Sequence, residues 1–92
     1  MLIYPRITTV TVEPGFRVRL SFADRTTGIV DLGPWIEGRG GVFAPLHDPV
    51  FFAQVFVDAE AGTIAWPNGV DLDPDMLYEA AHASVTGSSR AK

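Results

Sequence analysis

The chain has 92 residues, a formal charge of −4, 47% apolar and 20% charged residues, and no cysteine. That length holds one core, and the apolar content is enough to build it, so intrinsic disorder is excluded. Disulfides, thiolate metal sites and cysteine nucleophiles are excluded outright. Seven basic residues against eleven acidic ones make a poor footprint for phosphate neutralisation, so direct nucleic-acid binding is not expected. No apolar run approaches a membrane span, and no basic segment leads into an apolar one at the start; a cytoplasmic address is the expectation.

In chain order, Ile7-Thr8-Thr9-Val10-Thr11-Val12 is rich in β-branched residues and stops at the turn signal Glu13-Pro14-Gly15. Phe16 to Phe22 alternates, with Phe16, Val18, Leu20 and Phe22 for the core and Arg17, Arg19 and Ser21 for water. Ala23 to Gly28 reads as a polar turn, and Gly28-Ile29-Val30-Asp31-Leu32 returns as a third strand of an antiparallel meander. Gly33-Pro34 ends it. Trp35-Ile36-Glu37 reads as a short helical turn or loop, and Gly38-Arg39-Gly40-Gly41 as a flexible connection. Val42 to Leu46 is expected to be extended, with Pro45 confining it to a sheet edge. Asp48 is placed as N-cap and Pro49 as first residue of a single helical turn through Ala53.

Gln54–Asp58 and Thr63–Trp66 then form a hairpin closed at Gly62. Pro67-Asn68-Gly69 is turn chemistry, Asp73-Pro74 is a cap followed by a first helical residue, and Leu72 and Leu77 have the spacing of a hydrophobic staple. The helix from Pro74 is expected to end near His82, carrying Met76, Leu77, Ala80 and Ala81 as its apolar stripe. The fold class is therefore α+β: an antiparallel sheet of four to six strands, meander plus C-terminal hairpin, with a short C-terminal helix and a helical turn on one face. Residues 1–83 form the domain, and 84–92, rich in Ser, Gly and Thr, is expected to be a flexible tail.

Chemistry-bearing patterns are few. Asp71, Asp73 and Asp75 resemble the opening of a calcium loop, but the sixth and twelfth positions are Met76 and His82 where Gly and Glu are required. Capping explains Asp73 and Asp75, with Asp71 bracing the turn through backbone amides. Glu79 and His82 sit three apart on one helix face, one ligand short of a zinc site, and nothing in the sequence brings His47 near as the third. A serine nucleophile for His47-Asp48 would have to be Ser21 or a tail serine, neither of which sits on a strained turn or in a Gly-framed elbow, and Gly38–Gly41 lacks the strand-to-helix context of a phosphate loop. No metal, cofactor or catalytic residue is expected. Alternation in Gln54–Asp58 leaves Phe56 outside if Val55 and Val57 are core, unless the turn at Pro49–Ala53 or Trp35 covers it. Phe56, Trp35 and Arg39 are thus the candidate interface, while Trp66, Pro67, Asn68, Gly69, Asp71, Asp73 and Pro74 form the structural turn and cap.

Phe22-x-Asp24, Gly28-x-Val30-Asp31-Leu32, Val42-Phe43-x-Pro45-Leu46-x-Asp48-x-x-x-Phe52 and Gly62-Thr63-Ile64-x-Trp66-Pro67-Asn68-Gly69-x-Asp71-Leu72-Asp73-Pro74-x-x-Leu77-Tyr78 occur in that order. The series resembles the small bacterial family known as domain of unknown function 2442, over nearly the whole chain. The resemblance implies an α+β domain, in some members fused to a helix-turn-helix domain and in many encoded beside another small protein in a toxin–antitoxin-like pair. It supplies no catalytic residue. Two departures stand out: Asp24-Arg25 replaces the Asp-Gly common in the family, which predicts a longer loop to Gly28, and Phe56 occupies a position more often polar. The resulting expectation is a non-enzymatic interaction module for a small, basic protein partner. Self-association as a homodimer and a homodimeric small-molecule binder without catalysis are the alternatives.

Overall fold

The computed structural model describes residues 4–89, with side chains in the last helix described as far as His82. Its strands are β1 (Ile7–Glu13), β2 (Arg17–Phe22), β3 (Thr27–Asp31), β4 (Phe56–Asp58) and β5 (Thr63–Ala65). The helices are α1 (Gly33–Ile36), a 3-10 helix at Gly41–His47, α2 (Pro49–Phe52) and α3 (Pro74–Ser89). β1, β2 and β3 form an antiparallel meander in that order, and β4 and β5 form a separate antiparallel hairpin.

Alternation along β2 determines the layers. Val18, Leu20 and Phe22 are buried, whereas Arg17 and Arg19 are exposed on the opposite face. On the buried face, β3 presents Gly28 and Val30, and α3 lays Leu77 and Ala81 against the sheet. Gly28 makes this approach possible: a Cβ there would meet Ala81 Cβ at 2.8 Å and the Ala81 carbonyl oxygen at 2.9 Å. The chain before β1 ties the hairpin to the meander. Ile7 N–H donates to the Gly62 carbonyl at 3.0 Å, Ala23 N–H donates to the Arg6 carbonyl at 2.9 Å, and the Arg6 guanidinium donates to the Ala59 carbonyl.

The two cap signals form as their residue types dictate. Asp48 Oδ1 accepts from Val50 N–H at 3.0 Å and Asp73 Oδ1 from Asp75 N–H at 3.0 Å, each satisfying an N–H that a helix start leaves without a partner. Leu72 and Leu77 are both buried, as a staple requires.

Four local expectations are corrected. Val42–Leu46 is not an edge strand but lies within the 3-10 helix Gly41–His47, where Pro45 supplies a helical φ and its carbonyl accepts from Asp48 N–H at 3.0 Å. The Asp24-Arg25 loop is not longer. Phe22 N–H donates to the Thr26 carbonyl at 2.9 Å, and Arg25 itself takes φ 74°, the left-handed position glycine fills without cost. Phe16 lies outside β2 with φ 62°, half-buried rather than in line with Val18. Finally, α3 continues beyond His82 to Ser89, so the expected tail is helical over 84–89, while 90–92 lie outside the described residues.

Two substitutions test these backbone readings. Arg25→Gly relieves a left-handed penalty of about 1–2 kcal/mol and returns part of it as unfolded-chain entropy. A net gain of roughly 0.5–1 kcal/mol is expected, seen as a Tm rise of roughly 2–8 °C by calorimetry; an unchanged or lower Tm contradicts the strain. Gly28→Ala should cost roughly 1–3 kcal/mol in urea unfolding, because helix and strand must separate to admit the methyl. A neutral result would show that α3 does not seat on Gly28.

Candidate functional site

The turn and cap string forms one hydrogen-bonded device. Trp66 N–H donates to the Val70 carbonyl at 2.9 Å and Gly69 N–H to the Trp66 carbonyl at 3.0 Å, with Gly69 at φ 92°. Pro67 and Gly69 supply the two dihedrals such a turn demands. Asn68 is used at both ends of its amide: Oδ1 accepts from Val70 N–H at 3.3 Å, and Nδ2 donates to the Val42 carbonyl at 2.9 Å, pinning the 3-10 helix to the turn. The chain then doubles back along β5. Asp71 bridges Ala65 through its backbone rather than bracing the turn by its carboxylate, and Thr63 Oγ1 donates to the Leu72 carbonyl at 2.7 Å. Trp66 is buried, and its indole N–H donates to the Phe52 carbonyl at 3.0 Å. These residues serve the fold.

The three candidate interface residues occupy two regions. Phe56 lies on β4, opposite Ala65 and 44% exposed. Trp35 lies in α1 and is half-buried against the core. Arg39 is exposed after α1, its guanidinium 5.2 Å from the centre of the Phe43 ring, within cation–π range. Val42 and Val50 are further large apolar side chains left open, at 59% and 71%. Neither stood out in the sequence, because both belong to short helical segments without a periodicity to read.

Two open grooves meet at Phe16. One, of about 340 Å³, runs between Val12, Pro14 and Gly15 on the meander side and Pro49 and Phe52 on the α2 side. The other, of about 260 Å³, is bounded by Gly33, Ile36, Glu37 and His47. Phe16 packs edge-on against Phe52 with ring centres 5.1 Å apart, and its carbonyl accepts from Leu32 N–H at 2.9 Å. These contacts hold it at positive φ. A phenylalanine following Gly15 was the available signal, but alternation assigned it to the strand.

A polar cluster on the α3 side was not anticipated either. Asp24 Oδ1 accepts from Thr26 N–H at 3.0 Å and Thr26 Oγ1 at 2.6 Å, and Asp24 Oδ2 accepts from Tyr78 Oη at 2.7 Å. His82 Nδ1 is 2.8 Å from the Tyr78 carbonyl oxygen and so carries a proton, since a carbonyl only accepts. Its Nε2 lies 3.1 Å from Thr26 Oγ1. Tyr4 packs at a tilt against Tyr78, with ring centres 5.3 Å apart, and donates to Glu79. Glu79 and His82, weighed as a ligand pair, therefore have different partners. Among the described residues no group of three His, Asp or Glu side chains is arranged to hold a metal. The cluster fastens the β2–β3 turn to the helix.

The Thr26 hydroxyl, and next the Tyr78 hydroxyl, hold the Asp24 carboxyl below its ordinary 3.8. The bond to Asp24 and then desolvation push Tyr78 above its ordinary 10.0. The signs give a plateau. Asp24 stabilises fully above 3.8, and that contribution is lost as pH falls through its lower folded value; Tyr78 stabilises below 10.0 and is lost as pH rises through its higher one. Urea titrations should therefore show Asp24→Asn with a flatter acid limb than the parent, and Tyr78→Phe with a flatter alkaline limb. Parallel curves for parent and variants would dissolve the link between helix and turn.

No curated protein matches the chain. A solved structure from Nitrosomonas europaea ATCC 19718, named "Putative DNA Binding Protein NE0471", is similar in fold, with a TM-score of 0.78 at 25% sequence identity. The similarity takes in 94% of this chain and 56% of that one, so this chain spans little more than half the relative's length. The family model for the protein of unknown function DUF2442 matches residues 7–83, from the start of β1 through the described side chains of α3, and the chain belongs to that family.

Proposed function

We propose that this domain is a non-enzymatic protein-interaction module, the antitoxin-like partner of a small protein encoded beside it. The observation that carries the reading is uncovered apolar surface: Val42, Val50 and Phe56 stand open in a chain whose other large apolar side chains mostly fill the core. Apolar side chains gathered into one patch mark an interface, and Val42 and Val50 stand on two short helical segments that pack against each other. The grooves support it further. They are shallow, lined mainly by apolar groups, and their titratable members, Glu13 on one side and Glu37 and His47 on the other, do not form a nucleophile–base pair. The net charge of −4 suits a basic partner, whose approach it would steer.

The name of the Nitrosomonas protein raises DNA as another ligand. The surface here gives it little support. Arg19 is paired with Glu13 at 3.1 Å, and Arg17 is turned to the Pro14 carbonyl and faces Glu13 and Asp31 across the sheet. Phosphate neutralisation needs free cations gathered together; Arg6 is given to the Ala59 carbonyl, and Arg25 and Arg39, exposed without a carboxylate partner among the described residues, stand on separate connections.

Co-purification of the tagged chain with the product of the neighbouring gene tests the proposal, with Val50→Glu and Phe56→Glu as variants. A stoichiometric complex at low salt, weakened at least tenfold by one of the two substitutions while the variant keeps its fold, is expected. A neighbour that does not bind, or a duplex bound with a steep salt dependence, would replace this reading.

A further inference from the structure

We propose that the free edge of β1 pairs with the β1 edge of a second copy, joining two meanders into one continuous antiparallel sheet. The inference is independent of the partner-binding reading above, which rests on other side chains.

Hydrogen-bond directions along the meander locate the free edge. Phe22 N–H points to β3, where it meets the Thr26 carbonyl, so by alternation Leu20 and Val18 also point to β3. Ser21, Arg19 and Arg17 then point to β1, where they face Thr9, Thr11 and Glu13. The backbone groups of Val10 and Val12 must therefore aim away from β2. The same edge at Ile7 is occupied, since Ile7 N–H donates to the Gly62 carbonyl. No backbone partner meets Val10 or Val12 on that side among the described residues. Edge groups of this kind are a template for strand addition.

The side chains of β1 favour its own sequence as the added strand. Antiparallel pairing about a twofold axis at Thr11 sets Val10 of one copy opposite Val12 of the other, twice, with both residues' outward N–H and C=O groups engaged. Val10 and Val12 share the face of Leu20 and Val18, so the four valines would extend the buried apolar layer. Val12, 38% exposed in the single chain, borders the 340 Å³ groove against Phe52, which lies where that layer would continue. On the other face, Thr11 meets Thr11, and each Glu13 meets a Thr9. The register thus opposes no like charges, which strand pairing penalises. A 10.0 kDa domain that buries a modest core also gains from such burial.

Sedimentation equilibrium of the full chain, with concentration-dependent amide exchange, tests it. The expected result is a species of twice the monomer mass, with slower exchange at Val10 and Val12 as concentration rises. Val12→Pro removes an N–H that bonds nothing in the monomer, so the fold should survive while the dimer is lost; proline is admitted at such edge positions. Should that variant fail to fold, Val12→Lys supplies the same test by setting an unpaired charge against Val10 of the second copy in the layer that pairing would bury. A monomer at all concentrations, a dimer unaffected by both substitutions, or a dimer broken instead by Phe56→Glu overturns the proposal.

Discussion

The burial of Trp66, with its indole N–H given to the Phe52 carbonyl, is the contact on which the rest depends. Indole is a large apolar group with one donor, and inside a core that donor must find an acceptor. Here the acceptor is the last residue of α2, so the end of a one-turn helix is fastened to the end of β5. The tilted Phe52–Trp66 contact, with ring centres 5.7 Å apart, and the edge-on Phe16–Phe52 contact carry the same packing out to the tip of the meander. An isolated two-stranded hairpin is at best marginally stable. The β4–β5 hairpin persists because Trp66 seats at its end and Asp71–Leu72 lines its far side.

That dependence explains which parts of the structure could be read from sequence. Where one residue type has one backbone job, the reading succeeded. Asp48-Pro49 and Asp73-Pro74 cap helices, and Gly69 takes the positive φ of the turn. β2 alternates because water lies on one side of it. Reading failed where a tertiary contact overrode local preference. Val42–Leu46 has strand composition, but the Asn68 amide holds the Val42 carbonyl and the segment coils as a 3-10 helix. Arg25 sits where glycine is preferred, because the short β2–β3 connection leaves no other geometry. The cluster of Asp24, Thr26, Tyr78 and His82 could not be assembled from spacing, since its members come from a turn and a helix that tertiary packing brings together, with Gly28 against Ala81 and Phe22 against Tyr78.

The same logic separates the residues that make the fold from those left over. Trp66, Asn68, Gly69, Asp73 and Pro74 are the most distinctive string in the chain, and each is spent on capping, turning or filling. A motif can thus identify a family without marking a reactive site, because the backbone demands of a tight strand–turn–helix link are as exacting as those of a catalytic loop. Function must then be sought in what the fold does not use. Those residues are the apolar side chains of two short helical segments, Phe56 on an outer strand, and a strand edge whose backbone groups face outward.

These leftovers differ in physical kind, and the difference matters for partner choice. Val42, Val50 and Phe56 offer area, which any apolar surface of the right shape can cover. The β1 edge offers backbone hydrogen bonds in a fixed direction and spacing, which only an extended chain can satisfy. A surface of the first kind gains affinity from burial and selectivity from charge around it, and an acidic domain thereby favours basic partners. An edge of the second kind gains its selectivity from side-chain register, where a one-residue slip turns each valine to the wrong face. Both can operate in one molecule, because the outward backbone groups belong to Val10 and Val12 of β1 whereas Val42 and Val50 stand on the 3-10 helix and α2; only Phe56 lies on a strand, β4, that packs against β1. A domain too small for two cores can in this way keep two separate sites of contact.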